Sequence, residues 1–117
     1  MLEEDTQTAP VDWTALMTSI DGDQEIAAEL VQLFITSGDE QLANIVSAVA
    51  KGDYATIGAQ AHSLKGASAN LQARLACEAA ARLEAAARAR SPDVSGLAQE
   101  LGAEVTRAMQ FLRAKVA

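Results

Sequence analysis

Apolar residues recur along this chain at intervals of three and four, the spacing that puts them on one face of an α-helix. Trp13, Leu16, Met17 and Ile20 form the first such face; Asp12 is placed to cap it and Gly22 to end it. A second, longer run starts near Asp21 or Asp23 and continues to Lys51, with Gly52 as its stop. Its expected inner face is Ile26, Leu30, Leu33, Phe34, Leu42, Ile45 and Val49, and Ser37-Gly38-Asp39 predicts a bend or interruption midway. Asp53 follows Gly52 directly and opens a third helix to about Leu71, with Ile57, Ala61, Leu64, Ser68 and Leu71 as one narrow stripe. A fourth spans about Ala73 to Arg90, with Leu75, Ala79, Leu83 and Ala86 inward. Ser91-Pro92-Asp93 is a loop in which serine caps and proline takes the first position of a last helix to about Lys115, lined by Val94, Leu97, Leu101, Val105, Ala108 and Leu112.

Four long helices, each with one apolar face and short connections, bury those faces most economically as an all-α, up-down antiparallel four-helix bundle with a short additional N-terminal helix. Residues 1–10 read as a flexible lead-in and 11–117 as one domain, too small to hold a nucleotide-binding domain beside the bundle. Alanine is abundant and the only aromatics are Trp13, Phe34, Tyr54 and Phe111, which suits close-packed helices.

Charge is unevenly divided. The first fifty residues hold ten acids and no lysine or arginine, while the rest hold nine bases and six acids, so a half at -10 and a half at +3 give the net -7. With no basic cluster to neutralise a phosphate backbone, nucleic acid is not an expected partner. The lone Cys77 excludes a disulfide framework and reads as a small buried hydrophobe. No apolar run approaches the roughly 18 residues that span a membrane, and Met1-Leu2-Glu3-Glu4-Asp5 places acids where a signal peptide needs bases. A cytoplasmic protein is expected.

The chemistry centres on the single histidine, His62, which lies beside the stripe of the third helix. Its helical neighbours three and four residues away are Gly58, Ala59, Lys65 and Gly66. Three have almost no side chain, and each interior glycine costs roughly 1 kcal/mol of helix stability relative to alanine, which points to a bare patch that another protein's surface can reach. Lys65 is a flexible cation suited to holding phosphoryl oxygens. Across the hairpin folded near residue 72, position 62 is level with about 82, which brings Arg82 and Glu84 into the neighbourhood, both read mainly as surface charges. No carboxylate stands three or four residues from His62 on its own helix.

His62, Leu64, Lys65, Gly66 and Ser68 match the pattern H-x-L-K-G-x-S, and with Ala61 before it and Asn70-Leu71 after it this stretch resembles the signature of the histidine-containing phosphotransfer (HPt) family. One departure is Gln72, where the family usually has a glycine closing the helix. The resemblance implies a phosphocarrier rather than an enzyme, with His62 as phosphoacceptor and Lys65 stabilising the phosphoryl group; Gly66 and Ser68 of the motif, Gly58 and Ala59 from the helical spacing and Arg82 from the hairpin register are the candidate surrounding binding residues. It implies receiver domains of response regulators and a hybrid histidine kinase as partners, no cofactor of the chain's own, and Mg²⁺ with the acceptor aspartate on the receiver. A sensor kinase's dimerisation helix has an acid and then a proline near its histidine, unlike Ser63. A metal enzyme would need more ligands than one histidine. A non-catalytic interaction module and an HPt domain cut from a hybrid or chemotaxis-type kinase stand as alternatives. Because the bundle uses up each helix's apolar stripe, a monomer is expected.

Overall fold

Aspartates open three of the helices. Asp12, Asp23 and Asp53 each accept a hydrogen bond at 3.1 Å from a backbone N–H three residues on, those of Ala15, Ile26 and Thr56, satisfying donors that the first turn leaves without intrahelical partners. The computed structural model describes residues 9–117, and among these the order is α1 (Trp13–Ser19), α2 (Gln24–Lys51), α3 (Tyr54–Asn70), α4 (Arg74–Arg88) and α5 (Val94–Val116), with no strand. The long helices contact one another in a closed ring, α2 with α3, α3 with α4, α4 with α5 and α5 with α2. Of the expected lead-in, 1–8 lie outside the described residues; Ala9 is buried, as is Val11 just beyond it.

Gly52 ends α2 at φ 66°, in the left-handed region where a missing Cβ removes the steric penalty, and its N–H reaches back to the Ala48 and Val49 carbonyls. The second run is one helix, as expected, and of the bend or interruption expected at Gly38 there is no interruption: α2 runs unbroken from Gln24 to Lys51. Gly38 is buried, and a Cβ there would lie 2.6 Å from Met109 Cε and 3.9 Å from Val105 Cγ1, so this glycine serves the close approach of α5. The buried face of α2 is also rotated from the expected one. Ala27, Val31, Phe34, Ile35, Gly38, Ile45 and Ala48 are buried, Leu30, Leu42 and Val49 pack partly against them, and Ile26 and Leu33 stand 41% and 62% exposed. Small residues mark the face on which another helix can come close, and a reading weighted toward the largest side chains passes over them.

The α3 stripe is as expected, with Ile57, Ala61, Leu64, Ser68 and Leu71 all buried. Leu83 and Ala79 of α4 are buried as expected, joined by Ala76, Ala80, Ala87 and Glu84, while Leu75 and Ala86 are half-buried. α5 starts two residues later than expected: Ser91 Oγ accepts from the Asp93 N–H at 3.1 Å inside the preceding turn, and Pro92 stays in that turn. Trp13 is half-buried against the core, with the Lys115 ammonium 6.0 Å from its ring centroid.

Between α3 and α4 the chain turns on Gln72, which adopts φ 59°. This is the position where glycine was expected, and glutamine takes the same left-handed conformation at a cost of roughly 1–2 kcal/mol. The Gln72 carbonyl accepts the Asp12 N–H at 3.0 Å and the Ala73 N–H reaches the Ser68 carbonyl at 2.9 Å, so both sides of the turn are tied down.

Candidate functional site

The α3 stripe fixes which way the helix faces and so turns His62 outward, leaving its side chain 63% exposed. Its ring does not hang free. Nδ1 lies 2.9 Å from Oε2 of Glu84, which reaches across from α4 and is itself only 5% exposed. Lys65 donates from Nζ to Glu84 Oε1 at 2.7 Å, and the Arg88 guanidinium sits 2.5 Å from Oε2. One buried carboxylate thus gathers three nitrogen groups.

Their effect on Glu84 can be signed. The Lys65 hydrogen bond lowers its pKa most; burial opposes this, and the His62 hydrogen bond and the Arg88 and Lys65 charges add to the lowering, so the result is below the ordinary glutamate value. Glu84 is therefore an anion at neutral pH and can only accept hydrogen bonds. The shared proton is then on Nδ1, and in the neutral ring this leaves the Nε2 lone pair on the opposite side. A carboxylate holding one ring nitrogen selects the tautomer that makes the other a nucleophile.

The expected site residues divide into those beside the ring and those elsewhere. Gly66 is exposed and a Cβ there would meet nothing within 4 Å, and Ala59 is exposed as well. Gly58 is half-buried, its missing Cβ 3.7 Å from the Ala87 Cβ of α4, so it serves helix packing as well as access. Ser68 is fully buried and its Oγ has no hydrogen-bond partner, which makes it a packing residue rather than a contact surface. Arg82 is exposed and forms no hydrogen bond or ion pair among the described residues; the arginine that joins the cluster is Arg88, which pairs with Glu84 rather than with the ring. Cys77 is half-buried rather than buried.

Glu84 was legible as a neighbour of His62 but not as its partner, and the reading of it as a surface charge is corrected by its burial. Two signals bear on it: Ala80, Leu83 and Ala87 place position 84 at the edge of the buried face, and Arg88 stands four residues along, where an ion pair with Glu84 forms naturally. A shallow cleft of about 510 Å³ adjoins the ring, lined by Tyr54, Ala55, Gly58, Ala59, Ala87, Arg88 and Arg90 along with His62. The Arg90 guanidinium lies 5.7 Å from the Tyr54 ring centroid. A larger hollow of about 590 Å³ lies against the α3–α4 turn, away from His62, beside Gln72, Cys77 and the Arg74–Glu78 ion pair. Among the described residues no three of His, Cys, Asp and Glu converge as metal ligands, and no helix is long and apolar enough to cross a membrane.

The helices thus present one solvent-facing histidine, held from a neighbouring helix and flanked by cations. The chain belongs to the Hpt domain family, whose profile matches residues 29–114, from within α2 to near the end of α5. Hpt domains carry phosphoryl groups in two-component phosphorelays, exchanging them with receiver domains and kinases. The fold is similar to the crystal structure of histidine-containing phosphotransfer protein B (HptB) from Pseudomonas aeruginosa PAO1, with a TM-score of 0.86 over 93% of this chain and 96% of that one at 22% sequence identity. No curated protein matches the chain.

Proposed function

We propose that the chain is a phosphorelay shuttle in which His62 takes a phosphoryl group from one receiver-domain aspartate and passes it to another. The observation that carries this is the Nδ1–Glu84 contact at 2.9 Å on an otherwise exposed ring, which leaves Nε2 as a lone-pair donor aimed at solvent. Nε2 attacks the phosphorus of a phosphoaspartate, the N–P bond forms as the acyl P–O bond breaks, and the released electrons return to the aspartate carboxylate. Transfer onward is the reverse.

Little covalent chemistry is asked of this chain, so its contribution is placement and charge. Lys65, 37% exposed, is within reach of both Glu84 and the incoming group and can share its ammonium between them. The receiver would supply the aspartate and a Mg²⁺ ion that neutralises the transferring oxygens. Gly66 and Ala59 leave room for that partner's surface, and Arg88 and Arg90 give the cleft beside the ring a positive rim for its acidic pocket. We read the fold as an up-down antiparallel four-helix bundle formed by α2–α5 with α1 as an extra N-terminal helix, residues 11–117 as the domain, and the protein as a cytoplasmic monomer with no cofactor of its own.

Incubation with a phosphorylated receiver domain tests this. The chain should acquire acid-labile, base-stable phosphate, and Lys65→Ala should slow labelling by roughly ten- to a hundredfold without abolishing it, since charge stabilisation is lost while the nucleophile stays. Acid-stable label, or a Lys65→Ala protein with unchanged kinetics, would count against the mechanism.

A further inference from the structure

The contact between Nδ1 and Glu84 has consequences after the phosphoryl group has arrived as well as before. Attack by the neutral ring through Nε2 leaves a ring bonded to phosphorus on one nitrogen and to hydrogen on the other, an imidazolium with a full positive charge. In water such a ring can shed its Nδ1 proton near neutral pH. The neutral phosphoimidazole that results must expel imidazolate to pass its phosphoryl group on, whereas the protonated form expels neutral imidazole, a far better leaving group. Which form the protein holds decides how good a donor it is.

Resting on the phosphocarrier reading, we infer that Glu84 keeps phosphorylated His62 in the imidazolium form across neutral pH, so that phosphoryl transfer in either direction moves no proton. Three observations carry this. First, the carboxylate is 2.9 Å from Nδ1 and only 5% exposed, so water does little to screen it. Second, an ionised carboxylate cannot donate, so loss of the Nδ1 proton would set a ring lone pair against a buried anion with no hydrogen between them. Third, Lys65 and Arg88 are already paired with the Glu84 carboxylate, and Arg90, which shares the cleft beside the ring with Tyr54, lies over the Tyr54 ring rather than on Glu84, so the two negative charges of an arriving phosphoryl group favour a positive charge on the ring that carries them. The groups paired with Glu84 are His62 and Lys65 from α3 and Arg88 from α4 itself; α5, packed on the other side of α4, contributes no ion pair to it among the described residues.

His62 is the only histidine in the chain, so protein labelled with ¹⁵N in histidine gives a single pair of ring-nitrogen signals. The protein is phosphorylated with phosphoramidate and titrated, alongside Glu84→Gln, whose side-chain oxygen can still accept the Nδ1 hydrogen but carries no charge. In the unsubstituted protein Nδ1 should stay protonated past about pH 8, and in Glu84→Gln the midpoint should fall by at least about one pH unit, the usual effect of removing one close opposite charge. Transfer to an unphosphorylated receiver domain with Mg²⁺ should be nearly flat from about pH 6 to 8 in the first protein and should drop about tenfold over that range in the second. Equal midpoints, or deprotonation of Nδ1 by about pH 6.5 in the unsubstituted protein alone, would overturn the proposal. Absence of any nitrogen–phosphorus coupling on the ring would instead remove His62 as the acceptor, and the shuttle reading would fall with the inference.

Discussion

One ring nitrogen of His62 is held by Glu84, a residue 22 positions away, which leaves the other for the attack we propose. The motif around His62 displays the proposed nucleophile, Lys65 and Gly66, because these lie three and four apart on one helix. Glu84 is held to His62 only through the packing of α3 on α4, so spacing alone brings it no nearer than the right neighbourhood. Its lowered pKa also links it to stability. A carboxyl whose folded pKa lies below its unfolded value stabilises the fold fully above the unfolded pKa, and that contribution disappears as pH falls through the folded value. Glu84→Gln should therefore lower the melting temperature at pH 7, and the gap to the unsubstituted protein should close below about pH 4, read by thermal melts across that range. Gly66→Gln tests the bare surface. Its Cβ would point into open space, so helicity should persist and stability rise by up to about 1 kcal/mol. Phosphotransfer should slow at least about tenfold, because a side chain one turn from the ring holds the partner off; equal rates would refute the access argument.

At the level of helices the sequence was most legible where polar caps and large apolar residues agree. Asp12, Asp23, Asp53 and Gly52 mark three helix starts and one stop, and all of them hold in the structure. It was least legible where packing is done by small residues: Ala27 and Gly38 are core positions of α2, yet Ala27 draws no attention beside Ile26 and Leu33, which face solvent, and Gly38 reads as a weak point of the helix rather than as a packing position. Gln72 shows how a connection can keep its shape when its residue changes. Ties from Asp12 and to Ser68 hold the turn, and glutamine bears the left-handed strain. Gln72→Gly should relieve that strain and recover part of it as stability, about 0.5–1 kcal/mol after the extra freedom glycine gives the unfolded chain is subtracted. Urea unfolding at pH 7 would read the gain directly, and a loss of stability would mean that the Gln72 side chain contributes more than its backbone costs.

Across the whole molecule, the bases all fall in the second half of the chain, and Lys65, Arg88 and Arg90 gather around His62, the side we propose for a partner's phosphoryl group and acidic pocket. α3 and α4 together hold every charged group of the His62 cluster, while α2 and α5 supply the apolar mass that keeps those two helices in register. The expectation that every apolar stripe is used up needs one amendment, since Ile26, Leu33 and Val46 of α2 remain exposed. The central claim is that this scaffold exists to present one nucleophilic nitrogen, and the most direct test is labelling of His62→Gln by a phosphorylated receiver domain. The substitution lies at an exposed side chain and should change stability by less than about 0.5 kcal/mol, so a folded protein that takes up no acid-labile phosphate is the result this account predicts. Acid-labile phosphate on folded His62→Gln would contradict it.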